Sequence, residues 1–405
     1  MKVVLFSPLP PSPTGIADYS QLLLSGLRGR GVHVDARTEE NAPEGVAEEA
    51  TPIYQMGNSP LHGFMYPFVT RYPGVLVLHD LVLHHSRLAT YLARPEVEEY
   101  KNDLGSRTKR ERALAALEEY ASEVELSYPK SGRRLAEIAV RMGGGRLLYD
   151  YPLFESLARV SRLVLAHSKA ACDTVREHVP EVAVERVRMG IEIPPLVSRE
   201  EARARLGLSR LFGLFAWGET SVLIASSGLV TPEKQVSTAL RALGRLVNRG
   251  HDVYYCLVGR TVPHYDALEE ARSLGVADRV RSTGRVSADE FWLWACAADL
   301  CLNLRYPTGG ETSATLLRLM AAGRPVLVSD QAQQLDFPEG TVVRVSPAGA
   351  ADGLYCDLAE VLGAPERTRR IGEQARKFIE SEHRPDVMVD DYLGALKAHS
   401  PAVLR

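Results

Sequence analysis

The sequence predicts an α/β protein made of two doubly wound, Rossmann-like domains facing across a cleft, with a helical insertion in the first domain. Three observations predict it. Short apolar runs rich in β-branched residues alternate with longer amphipathic stretches, as βαβ units on a parallel sheet require. The alternation pauses between Pro194 and Trp217 and resumes at Ser221. The chain has 405 residues, 45% hydrophobic and 24% charged, which is material for two ordinary cores rather than one.

The first strand is VVLF, near residue 3. Its apolar run meets Pro8, Pro10 and Pro11 too early to be a signal-peptide core. A helix is expected from Tyr19 to Arg30, then a strand VLVLHD ending at Asp80. From about 86 to 160 the period lengthens into charged helices, the predicted insertion. Its Arg107, Lys109, Arg110, Arg112, Arg133 and Arg134 are interleaved with acidic residues and read as a solvated face, although they would also suit an anionic lipid or acceptor. RLVLAHS (162–168) is a strand, KAACDTVREHV a helix and ERVRMGIEI strand-like.

PPLVSREEARARLGLSRLFGLFAWG then reads as linker-like material. The second series comprises SVLIASSG from Ser221, VYYCLVGR (253–260), RVRSTGRV (279–286), ADLCLNLRY (298–306) and RPVLVSD (324–330). Residues from about 370 to 398 are helical and amphipathic. The predicted domains are 1–195, completed by a helix returning at about 385–405, and 196–384. Ligands of open α/β sheets bind outside the carboxyl ends of the strands, so chemistry is expected in the cleft.

Composition excludes several classes. A net charge of −3 gives no basic field for nucleic acid. No segment approaches the roughly 18 apolar residues of a membrane-spanning helix. The chain therefore reads as soluble and cytoplasmic, at most peripheral at the inner face of a membrane. Five scattered cysteines without CxxC spacing read as core thiols in a reducing compartment. No metal site is expected, and no Asp-x-Asp tripeptide occurs. The abundance of alanine, arginine and leucine fits a bacterial source.

The strongest local signal is YPTGGETSATLLRLMAAGRPVLVSD, residues 306–330. A strand ends at Tyr306, a Pro/Gly turn follows, and Glu311, Thr312 and Ser313 open an apolar helix that ends at Gly323. Unpaired N–H groups and hydroxyl donors at such a helix start suit an anion such as a diphosphate. A plain capped helix explains the same residues.

On this segment the chain resembles the retaining family 4 glycosyltransferases, of glycosyl transferases group 1 and GT-B architecture. The resemblance runs over nearly the whole chain. PLPPSPTGIADYS looks like that family's first glycine loop, with Gly15 near the donor phosphates. IYQMGNSPLH, LVLHDLVLHH and LAHSKAA also look like stretches of its first domain. SSGLVTPEKQVSTALRAL resembles its phosphate site, with Gly228 in the turn and Lys234 as the cation. LVGR, with Gly259 and Arg260, and STGRV, with Arg285 and Val286, resemble the segments framing the nucleotide base. Singly, each also fits a bland role: a proline-rich turn, a surface lysine, a structural histidine.

The resemblance implies retaining transfer of a hexose-type sugar from a UDP-, GDP- or dTDP-sugar to a glycan, lipid-linked or small-molecule acceptor, without metal or resident cofactor. Gly15, Thr312, Ser313, Lys234 and Arg305 would hold the diphosphate. Glu311 would meet the donor sugar's hydroxyls, His79 or else His167 would touch the sugar, and Asp80 or Asp18 would lie near the acceptor. Two departures stand out: Leu229 replaces an arginine of the phosphate turn, and Gly310 and Arg318 occupy the positions of two glutamates, with Glu311 displaced by one. They keep open a non-catalytic nucleotide-sugar-binding or scaffold protein. A nucleotide-sugar epimerase is the third reading, resting only on the scattered His79, Asp80, His84 and His85.

Overall fold

The computed structural model describes residues 1–213, 217–218, 220–346 and 351–399. They form two compact units. The first comprises Met1–Gly190, Gly309–Thr312 and the chain from Pro385, and the second comprises Ile191–Thr308 and Ser313–Arg384.

The first unit is a parallel sheet of β1 (Lys2–Phe6), β2 (His33–Arg37), β3 (Thr51–Met56), β4 (Val75–Leu78), β5 (Leu163–Ala166) and β6 (Ala183–Arg186), in the order β2-β1-β3-β4-β5-β6. β3, β4 and β5 are buried along their whole length, as strands covered on both faces must be. The direction of winding reverses between β1 and β3, which makes their carboxyl ends the crevice where ligands of such sheets bind. The helix after β1 runs from Gly15 to Gly29, starting four residues before the expected Tyr19, because extended Thr14 accepts a hydrogen bond from Ile16 N and caps it.

Between β4 and β5 lies the helical insertion, His84–Leu92, Pro95–Asn102, Arg107–Ser127, Gly132–Met142 and two short helices. It has a small core of its own around Leu88, Tyr91, Tyr120, Val124 and Leu135. Arg87 forks onto Glu123 with two 2.6 Å bonds, its guanidinium stacked 3.9 Å over the Tyr66 ring. The basic residues outside pair locally, Arg107 with Glu111, Lys109 with Asp103 and Arg133 with Glu118 and Glu125. The helix Pro385–Ala398 packs on Gly15–Gly29, with Val389 seated on Gly26, where no side chain would fit. Asp391 accepts from Arg188 through Nε at 2.8 Å and Nη2 at 2.6 Å. Residues 400–405 of the expected returning helix lie outside the described residues.

The second unit is a parallel sheet of β7 (Val222–Ser227), β8 (Val253–Val258), β9 (Val280–Ser282), β10 (Leu300–Asn303), β11 (Val326–Ser329) and β12 (Val343–Val345), ordered β12-β11-β10-β7-β8-β9. Its winding reverses between β7 and β10. The segment expected to be linker-like is instead structured. Helices Arg199–Leu206 and Leu208–Phe212 pack into this unit because Ala202 is buried and Arg199 donates to Asp299 at 2.6 Å, while Asp299 also caps Leu223 N at 2.7 Å. Residues 214–216 of that stretch lie outside the described residues. ERVRMGIEI supplies only the end of the edge strand β6 and then continues as irregular chain. Four cysteines are buried as expected of core thiols, whereas Cys356 is exposed. Among the described residues no helix is long and apolar enough to cross a membrane.

Candidate functional site

In the second unit the expected phosphate residues meet at the reversal point. Gly228 follows β7 at φ 97°, and its amide donates to Val258 O at 2.9 Å. Gly259, just beyond β8 at φ 152°, lies so close that a Cβ there would overlap the Gly228 carbonyl oxygen. The two glycines therefore interlock, which only residues without side chains permit. A Cβ on Gly228 would come within 2.6 Å of Lys234 Nζ and 3.7 Å of Thr315 Oγ1, so both side chains point at this turn.

Lys234, in a short 3-10 turn, donates to Ser227 O at 2.9 Å. Burial and then the positive charge of Arg305 push its ammonium down to about 7. Arg305 follows β10; its backbone is pinned by Ser329 Oγ, which accepts from its N–H at 2.9 Å, and by Gln331, which donates to its carbonyl at 2.8 Å. Two cations thus converge beside a glycine turn.

The nearby helix begins at Ala314, not at Glu311–Ser313 as expected. Ser313 is its N-cap, and its Oγ accepts from Leu316 N at 3.2 Å, so that lone pair serves its own helix. Thr312 is half-buried with no side-chain hydrogen bond among the described residues. Arg260 and Arg285 are exposed with no side-chain hydrogen bond or ion pair among the described residues, the Arg260 carbonyl accepting from Val230 N at 2.9 Å, and Val286 is half-buried. Leu229 is 43% exposed, and Arg318 lies 5.9 Å over the Phe291 ring.

In the first unit Gly15 opens its helix with nothing within 4 Å of an added Cβ. It leaves room rather than permitting a tight turn. Asp80, two residues past β4, accepts from Asn58 N at 2.9 Å. The segment Gly309–Thr312 lies against it: Leu81 N donates to Gly309 O at 2.9 Å, and a Cβ at Gly309 would be 3.1 Å from Glu311 Oε2 and 3.9 Å from Asp80 Oδ1. The carboxyl groups of Asp80 and Glu311 thus flank one point. Gly310 has φ 75° and its missing Cβ would press on Leu81 at 2.7 Å, which explains why a glutamate stands at 311 and not at 310.

His79 is 6% exposed with both ring nitrogens engaged, Nε2 with Gln55 at 2.7 Å and Nδ1 with His167 at 3.2 Å. Burial and then repulsion from His167 hold it well below the usual histidine value. It is a neutral ring in a closed network rather than one presented to a ligand. His84 is also buried and engaged at both nitrogens, with Tyr151 O and the Tyr120 hydroxyl, so the histidines do not gather as acid and base around one carbon. Asp18 is exposed in the first turn of its helix.

Several residues here were not singled out from sequence. Thr315 was hidden because the helix start was placed too early. Gly57, whose Cβ would be 3.3 Å from both Asp80 Oδ2 and His62 Nε2, sits in the quoted IYQMGNSPLH, where only its position after a strand could have marked it. Gln55 and Tyr392 are brought together by tertiary packing and left no local signal. Among the described residues, no group of three or more His, Cys, Asp or Glu is arranged to hold a metal ion.

Comparison with known proteins fits this geometry. Residues 220–360 match the model of the family Glycosyl transferases group 1. The MMP alpha-(1->4)-mannosyltransferase of Mycolicibacterium hassiacum is 28% identical over 159 residues, 38% of this chain and 38% of that protein. The GDP-mannose-dependent alpha-(1-6)-phosphatidylinositol monomannoside mannosyltransferase of Mycolicibacterium smegmatis is 29% identical over 209 residues, 49% of this chain and 52% of that protein. The chain thus spans about half or less of the length of the curated relatives it matches.

Among solved structures, sucrose-phosphate synthase from Thermosynechococcus elongatus aligns with a TM-score of 0.66 at 15% identity, covering 99% of both chains. Anabaena HepE in complex with UDP and glucose aligns at 0.61 and 15% identity, over 98% of this chain and 100% of that one. At such identity the likeness speaks for the fold alone. The chain has the GT-B fold, and its residues 220–360 match the family model of Glycosyl transferases group 1.

Proposed function

We propose that this protein is a glycosyltransferase that moves a hexose-type sugar from a nucleotide diphosphate donor to a hydroxyl of an acceptor. The observation that carries the reading is the meeting of Lys234 and Arg305 at the Gly228 turn, where Lys234 is held at a depressed pKa by burial and by a second cation. An anion with two negative charges is the ligand that relieves such a site. The first-turn amides of the helix Ala314–Ala321, Thr315 and the Ser313 hydroxyl add donors.

A sugar leaving its diphosphate passes through a cation-like state, so the protein must chiefly stabilise charge on the departing phosphate and place the acceptor hydroxyl. Lys234 and Arg305 do the first. Glu311 orients the donor sugar through its hydroxyls, and Asp80 beside it is the carboxylate available to the acceptor. Retention of configuration needs no nucleophile from the protein. The cations supply the charge a metal would otherwise provide, so transfer should persist in EDTA.

The second unit is the donor side, where Gly259, Arg260, Arg285 and Val286 frame the base, and the first unit is the acceptor side, where Gly15 leaves room. UDP, GDP and dTDP remain candidate donors, since one relative is named for GDP-mannose and one structural neighbour holds UDP and glucose. The second relative, a phosphatidylinositol monomannoside mannosyltransferase by name, favours a lipid-linked glycan among possible acceptors. The location that fits is the cytoplasm or the inner face of a membrane.

The test is calorimetric titration of UDP-, GDP- and dTDP-sugars into the protein, followed by phosphorus NMR for release of the nucleoside diphosphate with candidate acceptors. One nucleotide class should bind, with binding lost in Lys234→Ala. Failure of every nucleotide sugar to bind would sink the reading. Exposed Leu229 and half-buried Arg318 favour a second one, a nucleotide-sugar-binding scaffold, which binding without release or transfer would support.

A further inference from the structure

The histidines at the carboxyl ends of β4 and β5 belong to a longer series of buried polar groups. His167 Nδ1 lies 3.0 Å from the Val187 carbonyl oxygen, its Nε2 lies 3.2 Å from His79 Nδ1, and His79 Nε2 lies 2.7 Å from Gln55 Oε1. From Gln55 the series continues over a long 3.4 Å to the Tyr392 hydroxyl, on the helix Pro385–Ala398, and then 2.8 Å to the Tyr19 hydroxyl. All five side chains are buried.

The hydrogens in this series can be counted. A carbonyl only accepts, so His167 carries its hydrogen on Nδ1. A neutral His167 then accepts at Nε2, and His79 must donate from Nδ1. A neutral His79 accepts at Nε2, so the Gln55 amide, placed with Oε1 towards His79 and Nε2 towards Tyr392, must be turned over to face His79 with its NH2. The two amide orientations have the same shape, and the donor count chooses between them. The Gln55 oxygen then faces Tyr392, whose hydroxyl donates to it and accepts from Tyr19. Every other arrangement sets two acceptors or two donors face to face, or needs an imidazolium among buried rings. The titratable groups around the pair are His62, Tyr19, Tyr392 and, on the terminal helix, Asp391, which is already bound by Arg188.

We propose that Tyr392 and Gln55 are positioning residues for the end of β4. The one-way chain from Tyr19 through Tyr392, Gln55, His79 and His167 to the Val187 carbonyl fixes both imidazoles as Nδ1–H tautomers. His79 is thereby a rail that sets the backbone presenting the adjacent Asp80, not a proton carrier. The link to sugar transfer rests on the function proposed above; the tautomers do not.

The experiment is long-range proton–nitrogen correlation NMR on the full chain labelled with nitrogen-15 histidine, with the two residues assigned through His79→Gln and His167→Gln. Both should appear as neutral Nδ1–H rings, unchanged from about pH 6 to about pH 8, where an ordinary histidine titrates. Tyr19→Phe should leave the tautomers in place, because Tyr392 still donates to Gln55. Tyr392→Phe leaves the Val187 end of the chain intact and so keeps His79 as the Nδ1–H ring, but the loosened Gln55 amide should lower kcat about tenfold while the donor KM stays within about twofold.

Gln55→Glu replaces the donor by an acceptor and must place a hydrogen on His79 Nε2, which reads the same link if Tyr392→Phe does not fold. Wild-type His79 found as the Nε2–H tautomer or as an imidazolium overturns the proposal, as does a His79 ring untouched by Gln55→Glu or a kcat unchanged in Tyr392→Phe. Nδ1–H rings in a protein that transfers no sugar would uphold the chain and defeat the function instead.

Discussion

Raising the pH from 7 to 9 should weaken binding of a nucleotide sugar about 50-fold, because the free Lys234 ammonium has a pKa of about 7 and must be charged in the complex. Its charged fraction falls from about one half to about one hundredth across that range, which corresponds to about 2.3 kcal/mol. A nucleotide sugar is the ligand to use, since its bridging diphosphate does not titrate there. Calorimetry in two buffers of different ionisation enthalpy reads the proton directly, and uptake should approach one proton per site above about pH 8. Lys234→Gln should abolish the uptake and flatten the profile.

The same depressed value makes the ligand-free protein gain stability as pH rises from about 7 towards 10.5, because the folded lysine releases a proton that the unfolded chain keeps. Equal dissociation constants at pH 7 and pH 9, with no proton uptake, would refute the placing of the diphosphate at Lys234.

Three further outcomes are expected. Gly259→Ala forces a Cβ into the Gly228 carbonyl and should cost about 2–4 kcal/mol in urea denaturation, whereas Gly15→Ala, with open space around it, should stay within about 0.5 kcal/mol. Glu123→Ala leaves Arg87 buried without its carboxylate, the two being 16% and 10% exposed, and should cost about 3–5 kcal/mol by the same assay. Burial alone would raise the Asp391 carboxyl, but hydrogen bonds from Arg188 overcome this and hold it below its ordinary value. Asp391→Asn should therefore cost about 1–3 kcal/mol at neutral pH, and the difference from wild type should shrink as pH falls through and below the ordinary carboxylate range in thermal melts.

Strands buried on both faces were legible because they read as unbroken apolar runs: VLVL of β4 and LVLA of β5 are entirely buried. β2, β3 and β12 were not. HVDAR and VRV are edge strands with polar residues, and TPIYQM carries Pro52 and the buried Gln55, whose partners lie outside the strand. The linker-like stretch misled because its arginines satisfy Asp299, far along the chain. For the phosphate turn, glycines and a lysine after a strand carry a local signature. The grouping of Glu311 with Asp80 does not, since it depends on the Gly309 carbonyl bonding to Leu81 N. Nor does the Tyr392 link, which spans 337 residues to Gln55.

The helix Pro385–Ala398 belongs to the first unit yet follows the second in the chain. During synthesis the first sheet must wait until residues 191–384 have left the ribosome before Tyr392 can reach Gln55 and Val389 can cover Gly26. Completion of the first unit therefore follows synthesis of the second, and a premature stop after residue 384 would leave the second unit's own segments whole while damaging the histidine network nearly four hundred residues' synthesis away from where β1 began.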